Sequence, residues 1–285
     1  MPRLVAAALL AVALLLWAPG PADGRSANVA ALQVALRARG LYPGDVDGLR
    51  GPLTRAAVLA FQRRRGLLVD GIAGPQTKRA LGRRWMHRYR SRVLRPGLVG
   101  WDVAALQFNL EMHGFPLGTV DGGFGPRTSA AVVRFQARAG LAPDGVAGPA
   151  TFAALRRPAP RAPYAVRRPI AAAPGDRYGP RDNRMHTGID FPAATGTPVF
   201  AAASGTVSFA GFDDGYGNAV VLQHGGGVAT RYAHLSSFAG GPGRFVPAGG
   251  LVGRVGATGH ATGPHLHFEI IVRGAFVDPA PALGL

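Results

Sequence analysis

The sequence predicts a multidomain protein in which two small all-α repeats of three helices each are followed by a mainly antiparallel β-sheet domain. Two observations carry this prediction. The first half of the chain repeats itself at an offset of 74 residues, which indicates one supersecondary unit used twice. From Ile170 onward, short runs rich in Val, Phe, Thr and Tyr alternate with glycine-rich turns, a pattern typical of strands at hairpin spacing. A chain that is 47% hydrophobic has enough apolar residues for cores, whereas 42 Gly and 24 Pro among 285 residues disfavour long helices.

The N-terminus predicts export. Residues 4–17 read LVAAALLAVALLLW, an uncharged run of 14 residues that fits the apolar core of a signal peptide and is short for a membrane span. We expect residues 1–24 to be a signal peptide, with cleavage after Gly24 and no stable membrane anchor afterwards. The expected location is therefore secreted or cell wall, and the alternative is a buried core helix or an uncleaved anchor. The chain has no cysteine, which excludes disulfides, thiolate metal sites and a cysteine nucleophile.

The internal repeat aligns Val29–Leu81 with Val103–Leu155, and 30 of the 53 positions are identical. Each copy predicts three short helices. In the first copy Val29, Leu32 and Leu36 form one apolar stripe, and the second and third helices should open at prolines because proline suits the first helical turn. These prolines are Pro52 and Pro75 in the first copy and Pro126 and Pro149 in the second. The aspartates of the Asp-Gly pairs are interpreted as residues that shape turns and cap helices: Asp47, Asp70, Asp121 and Asp144.

The shared frame of VAALQ, VDG, FQ and DG-x-AGP-x-T resembles the peptidoglycan-binding domain, a three-helix module of cell-wall hydrolases. The resemblance covers residues 28–81 and 99–155 and implies wall binding without catalysis. Residues 82–98 are expected to form a basic linker. Residues 156–169, RRPAPRAPYAVRRP, are expected to form a semi-rigid extended spacer that lets the last domain sample wall at some distance from the anchor.

The net charge of +17 is distributed unevenly along the chain. Residues 25–155 carry +12, residues 156–169 carry +5, and residues 170–285 are neutral. Such a field concentrates a protein near polyanions, and the predicted export disfavours nucleic acid as the partner. Anionic wall polymers are a candidate partner. The alternative is that the arginines only solvate linkers and helix faces.

Six of the eight histidines lie in the last domain, residues 170–285. His186 and Asp190 form H-x-x-x-D, His265 and His267 form H-x-H, and His234 lies in RYAHL. Because residues i and i+2 of a strand face the same side, the H-x-H pair presents two imidazoles to one patch. Two histidines and a carboxylate with an open fourth position form the ligand pattern of a catalytic zinc site, although other divalent ions are compatible. The spacing alone leaves open which histidine of the pair binds the metal.

These motifs, with TGPHLHFE preceded by VPAGGLVGRVGATG, resemble the lysostaphin/LytM-type zinc endopeptidases. The resemblance implies Zn²⁺ held by His186, Asp190 and His267, with His234 and His265 as the catalytic histidines. Because the whole chain has only two glutamates, we expect a histidine to be the general base. His265 is assigned to water activation and His234 to oxyanion stabilisation, and these two roles are interchangeable at this stage.

Other residues near the motifs have weaker assignments. Glu269 is expected to be a salt-bridged strand residue, with the orientation of an imidazole as the alternative. His224 is expected to be structural, and His260 to lie near the groove. Tyr216 and Asn218 fit either a groove or a turn.

The sequence thus predicts a secreted, monomeric, zinc-dependent endopeptidase that hydrolyses peptide cross-links or bridges of bacterial peptidoglycan and is targeted by two wall-binding modules. The alternative functions are a non-catalytic wall-binding regulator of other hydrolases and a protein that binds polyanions through its basic half. No nucleic-acid partner is expected.

Overall fold

The computed structural model describes residues 24–82, 87–181 and 184–285. All but the last residue of the predicted signal peptide, residues 1–24, lies outside the described residues. Among the residues that are described, no helix is both long and apolar enough to cross a membrane.

Each repeat consists of three helices, as predicted. The first repeat contains α1 (Ala27–Arg37), α2 (Pro52–Arg64) and α3 (Pro75–Ala80), and the second contains α4 (Trp101–Met112), α5 (Pro126–Ala139) and α6 (Pro149–Ala154). The four helices predicted to begin at proline do so. Each has a glycine at its N-cap and no side-chain cap hydrogen bond, so the helix-capping interpretation of the aspartates is wrong.

The aspartates instead belong to four equivalent hydrogen-bond networks, each centred on a buried glutamine. In the first network Gln33 Nε2 donates to Asp47 Oδ1 at 2.7 Å and to Thr54 Oγ1 at 3.0 Å, while its Oε1 accepts from the Gly48 backbone at 2.9 Å. Asp47 Oδ1 also accepts from the Leu49 backbone at 2.8 Å, which confirms its predicted turn role. Gln62, Gln107 and Gln136 repeat the arrangement. Each network satisfies the buried amide and fixes an Asp-Gly turn next to the helix that follows it.

The two repeats share a core because α1 packs against α4. Trp101 and Phe108 of the second repeat lie in the same buried cluster as Leu36 and Phe61 of the first. The segment between the repeats belongs structurally to the second one: Leu94 forms a β-bridge with Ala147 and is fully buried.

The C-terminal part is a strongly curled β domain in which every strand pairing is antiparallel, which confirms the predicted class. Its strands are β1 Gly179–Arg181, β2 Arg184–His186, β3 Ile189–Pro192, β4 Pro198–Phe200, β5 Gly205–Asp213, β6 Gly217–Gln223, β7 Val228–Ala233, β8 Leu235–Phe238, β9 Phe245–Val246, β10 Leu251–Val255, β11 His265–Val272 and β12 Ala275–Val277, followed by a short helix α7, Ala280–Leu283. The main sheet has the order β12-β11-β7-β6-β5-β9, and β4-β10-β8 forms a second sheet.

Strand β11 organises the candidate site because it is paired on both edges. On one edge it pairs with β3, which places His267 opposite Asp190; on the other it pairs with β7, which places His267 opposite Ala233. The alternate residues Leu266, Phe268 and Ile270 are completely buried in the core between the sheets. This alternation directs the histidines to the opposite face.

The predicted spacer interpretation of residues 156–169 is wrong at its C-terminal end. Val166 N donates to Ala282 O at 2.9 Å and Arg167 N donates to Ala202 O at 2.9 Å. Val166 also packs against the core of the β domain. The proline- and arginine-rich composition correctly indicated that this segment lacks regular secondary structure. It did not indicate that apolar residues of the segment, such as Val166, pack against the β domain.

The second repeat contacts the β domain through strand β12. Phe276 N donates to Gly114 O at 3.0 Å, and the adjacent Ala275 lies in the core of the second repeat. A Cβ built on Gly114, whose φ is +83°, would lie 2.0 Å from the Phe276 carbonyl oxygen. A glycine is therefore required at this contact, both for its backbone conformation and for its size.

Candidate metal centre

Three predicted ligand residues converge at one point of the β domain. His186 Nε2 lies 3.1 Å from Asp190 Oδ1 and 3.2 Å from His267 Nδ1, and His267 Nδ1 lies 2.7 Å from Asp190 Oδ1. All three residues are less than a tenth exposed. Ligand atoms on a tetrahedral Zn²⁺ are about 3.3 Å apart, given bond lengths of about 2.0 Å. A slight opening of the Asp190–His267 contact would therefore accommodate such an ion.

The turn between the first two of these residues depends on Gly188. A Cβ at this position would lie 2.3 Å from the Phe268 carbonyl oxygen and 2.9 Å from His267 Cε1. Because Gly188 has no side chain, the turn can approach β11 closely enough for His186 and Asp190 to contact His267. This explains the small residue in the middle of H-T-G-I-D.

The outer nitrogens of both ligand imidazoles have partners that assign the tautomers. His186 Nδ1 donates to the Arg177 carbonyl at 2.8 Å, and His267 Nε2 donates to Glu269 Oε1 at 3.1 Å. In the neutral tautomer that these bonds select, each ring directs a lone pair inward, beside the Asp190 carboxylate. Two facing lone pairs 3.2 Å apart repel each other unless a proton or a cation lies between them. The donor set of two imidazoles and one carboxylate thus fits a metal ion, with the outer hydrogen bonds orienting the ligands.

Glu269 has two functions in the structure. It is completely buried and forms the expected salt bridge, with Arg231 Nη1 at 3.2 Å. It also accepts hydrogen bonds from His267, from the Tyr216 hydroxyl at 2.9 Å and from the Thr187 hydroxyl. The alternative considered from the sequence, the orientation of an imidazole, is therefore present together with the favoured one.

The electrostatics of this cluster are dominated by its internal contacts. Burial opposes ionisation of Asp190, but the contacts with the His186 and His267 rings outweigh it and hold the pKa of the carboxyl well below its usual value. Burial likewise opposes protonation of His267. The hydrogen bonds to Asp190 and Glu269 outweigh that effect too and raise the pKa of His267 to about 9 in the metal-free chain. A proton therefore substitutes for the cation when no metal is bound.

The two remaining predicted histidines lie beside the ligand cluster. Their ring centroids are 4.6 Å apart, and His265 Nε2 lies 3.8 Å from Asp190 Oδ1. His234 Nδ1 donates to Thr258 O at 2.8 Å, and His265 Nδ1 donates to Gly263 O at 2.8 Å. Each neutral ring therefore offers Nε2 as a proton acceptor. Burial is the main reason that the pKa of His234 falls to about 4, so this ring is neutral at physiological pH.

The backbone of His234 is also unusual, since its φ is +60°, a left-handed conformation that is uncommon for residues other than glycine. Its backbone N–H donates to the Tyr216 carbonyl at 2.9 Å, which holds this conformation at the junction of β7 and β8. Such local strain is typical of functional sites.

All five predicted site residues line one open groove of about 600 Å³. His260 and Tyr216 line it as well, as considered from the sequence. Asn218 does not line it; this residue lies in β6, and its side chain donates to Leu235 O of β8 at 3.1 Å. His224 lies between Ser204 O and Thr230 Oγ1, which confirms its structural assignment.

Sequence reasoning missed the carbonyl groups of Arg177, Thr258 and Gly263, which set the histidine tautomers. A backbone carbonyl is present at every position, so it has no sequence signal. It could be found only from the fold.

Comparisons with known proteins agree with this geometry. Residues 184–279 match the model of peptidase family M23, and residues 25–81 and 100–155 match that of a peptidoglycan binding domain. A DD-carboxypeptidase/endopeptidase, Mpg, of Neisseria meningitidis is 52% identical over 96 residues, which cover 34% of this chain and 22% of the relative. The peptidoglycan DD-endopeptidase ShyA of Vibrio cholerae is 44% identical over 97 residues, 34% of this chain and 23% of the relative. The matched segment thus spans about a fifth of the length of these curated relatives.

Among solved structures, the catalytic domain of lysostaphin from Staphylococcus simulans is 37% identical, with a TM-score of 0.38 and coverage of 40% of this chain and 93% of the other. The family matches do not depend on this structural comparison. They coincide with the β domain and with the two helical repeats. The C-terminal β domain therefore belongs to peptidase family M23, and it is preceded in the same chain by two peptidoglycan binding domains.

Proposed function

We propose that this protein is a secreted, zinc-dependent endopeptidase that hydrolyses peptide cross-links or bridges of bacterial peptidoglycan. One observation carries the proposal: two imidazole nitrogens and a carboxylate oxygen converge within 3.2 Å of one another, on the floor of an open groove that also presents two further histidines. The membership of the β domain in peptidase family M23 supports the same reaction class.

Zinc is the proposed ion because two neutral imidazoles and one carboxylate leave an open position, the arrangement of catalytic zinc sites. The proposed ligands are His186 Nε2, Asp190 Oδ1 and His267 Nδ1. When bound, the ion supplies Lewis acidity, which polarises a peptide carbonyl and makes water more acidic.

The other residues hold and move protons. In our proposal His265 Nε2, which lies 3.8 Å from the ligand oxygen of Asp190, accepts the proton of the attacking water. We propose His234, whose ring lies against that of His265, for stabilisation of the carbonyl oxygen on which negative charge develops, a role in which its Nε2 must first take up a proton and then donate it. Glu269 holds His267 in its ligating tautomer and does not contact the substrate.

The substrate is inferred from the relatives of the β domain and from the domains that precede it in the chain. Two curated relatives are named as DD-endopeptidases, one of them a peptidoglycan DD-endopeptidase, and this chain carries two peptidoglycan binding domains. A wall substrate requires export, for which the proposed signal peptide, residues 1–24, accounts. We propose residues 170–285 as the catalytic domain and residues 28–81 and 99–155 as the wall-binding modules.

The test is digestion of purified peptidoglycan by the metal-loaded chain, with and without a chelator, followed by chromatography of the released fragments. We expect close to one zinc ion per chain and new free amino groups that appear only without the chelator. Stoichiometric wall binding without any new amino group would overturn the proposal in favour of the non-catalytic regulator.

A further inference from the structure

The groove between the first and second helices of the second repeat is filled by the chain itself. Leu94 is fully buried and exchanges two backbone hydrogen bonds with Ala147, at 3.0 and 2.8 Å. It lies in one apolar cluster with residues of the repeat's three helices and turns: Val103, Leu106, Phe124, Val132, Phe152. An extended segment therefore fits this groove by pairing with the edge of the Ala147 turn and burying one apolar side chain.

The same groove in the first repeat is open. It forms a cavity of about 550 Å³ with an apolar floor of Val29, Leu32, Val58 and Ile72. Ala73 is the counterpart of Ala147 at the 74-residue offset and is only partly buried. Within residues 24–82 and 87–181, it has no β-bridge like that of Leu94. The position that corresponds to Leu94 in the sequence is Gly20, which lies outside the described residues.

The walls of the two grooves differ in charge. The aromatic pair Phe124 and Phe152 of the second repeat corresponds to Arg50 and Lys78 in the first. Both cations line the open groove, and Arg88 joins them from the segment between the repeats. Of the described lining residues none is acidic.

Lys78 is an exposed residue that contacts a buried aromatic ring. Its ammonium lies 5.5 Å from the centre of the Trp101 ring, and Trp101 is itself buried and donates to Asn28 at 3.3 Å. Partial burial, followed by the neighbouring Arg50 and Arg88, lowers the pKa of Lys78. An anion bound among these cations would relieve their repulsion.

We propose that the groove of the first repeat binds an extended, carboxylate-bearing peptide in the place that the Leu94 segment occupies in the second repeat. The main chain of the ligand would pair with Ala73, and its carboxylate would contact Lys78 and Arg88. Its identification as the stem peptide of peptidoglycan rests on the proposed function. A groove with an apolar floor and an available backbone edge fits a peptide better than a phosphate polymer, which would present neither apolar groups nor amides.

The test measures binding separately from hydrolysis. The purified chain is titrated, with a chelator present, against a fluorescent acidic stem peptide and against the same peptide with its carboxyl groups amidated. The double variant Lys78→Met, Arg88→Gln removes two charges while the methionine still covers Trp101. The matched control Arg63→Gln, Arg156→Gln removes two charges from exposed positions outside the groove. Thermal unfolding of each variant monitors folding.

We expect the double variant to raise the Kd for the acidic peptide at least tenfold, and amidation to raise the Kd of the unaltered chain by a similar factor. The control should change it less than twofold. Lys78→Phe, which copies Phe152, should also abolish binding. Equal affinity for the acidic and amidated peptides, or an unchanged Kd in the double variant, would overturn the proposal.

A second comparison distinguishes sources of negative charge. Binding to intact walls that disappears once phosphate polymers are stripped away, with no affinity for the acidic peptide, would assign the groove to a phosphate polymer and overturn the proposal. The peptide titrations are run with a chelator present, so hydrolysis does not contribute to the measured Kd. The binding result therefore stands or fails independently of the proposed hydrolysis.

Discussion

His267 donates to Glu269 at 3.1 Å through Nε2, and this contact directs its Nδ1 toward Asp190. The buried carboxylate thus sets the tautomer of a proposed metal ligand from the strand that carries both residues. The same carboxylate is held by Arg231 and by the Tyr216 hydroxyl. Glu269, which does not line the groove, thereby determines which nitrogen of His267 faces Asp190.

Glu269→Gln should weaken zinc binding by about 10- to 100-fold, because the neutral amide polarises His267 less and no longer fixes its tautomer. Competition against a chromophoric chelator measures the affinity. Asp213→Asn is the matched control, since Asp213 pairs with the same Arg231 at 3.8 Å. This control should change the affinity less than twofold, and equal losses in both variants would show that Arg231, not His267, is the relevant partner.

His267→Ala and His265→Ala should separate ligation from proton transfer. We expect the first variant to lose bound zinc, and the second to retain it while its turnover falls by about 10²- to 10⁴-fold. Metal analysis after dialysis, together with cleavage of a soluble peptide, provides both readouts. Loss of zinc in His265→Ala would contradict the ligand assignment.

Zinc binding should release about one proton per ion at pH 7. The pKa of His267 is raised from 6.5 to about 9 in the metal-free chain, so its ring is protonated at pH 7 and must lose that proton to bind metal. The apparent affinity should therefore rise about tenfold for each pH unit between 7 and 9 and then level off. Calorimetry in two buffers with different ionisation enthalpies counts the protons.

The same raised pKa affects the metal-free fold. His267 contributes stability that is complete below pH 6.5 and is lost as the pH rises through about 9. A zinc affinity that does not vary between pH 7 and 9 would contradict the assignment.

Glu111→Gln should stabilise the chain in mildly alkaline solution. Glu111 is 2% exposed, and its Oε1 has no hydrogen-bond partner among the described residues. Burial raises its pKa from 4.5 to about 8. Because the folded chain binds this proton more tightly than the unfolded chain, the contribution is complete below pH 4.5 and is lost as the pH rises toward 8.

The expected gain at pH 8 is about 2–4 kcal/mol, with little change at pH 4. Denaturant unfolding at both pH values measures it. A gain of the same size at pH 4 would indicate a packing effect rather than titration.

Leu94→Ala should destabilise the second repeat by about 2–5 kcal/mol, because it empties the filled groove. Leu68→Ala removes the same atoms from a side chain that is 73% exposed, and it should change stability by less than about 0.5 kcal/mol. Chemical denaturation of both variants tests the difference. Equal stability would mean that Leu94 is not part of the repeat's core.

Local signals in the sequence predicted most of the helices and placed the H-x-H pair on one face of a strand, whereas the proposed ligand set came from the resemblance to the zinc endopeptidases. Pro52 and Pro126 mark helix starts because the proline ring fixes the backbone in a conformation that suits the first turn. His265, Leu266 and His267 alternate faces because a strand has a period of two. These rules act over a few residues and need no knowledge of the remainder of the fold.

The partners that the sequence did not identify depend on contacts between distant segments. Glu269 meets Arg231 only because of the register between β11 and β7, and it meets Thr187 only because of the turn at Gly188. The filling of a groove by Leu94 likewise depends on where a linker folds back. The glutamines of the Asp-Gly networks did have a signal, since Gln33 and Gln107 stand 14 residues before their aspartates in both repeats.

The backbone hydrogen bond between Phe276 and Gly114 connects the proposed wall-binding half of the molecule to the proposed catalytic domain. Together with the packing of Ala275 in the core of the second repeat, it adds a direct contact to the semi-rigid spacer expected from the sequence. Under the proposed function, the peptide bonds that one wall-bound molecule hydrolyses would therefore lie at a nearly constant distance from its point of attachment.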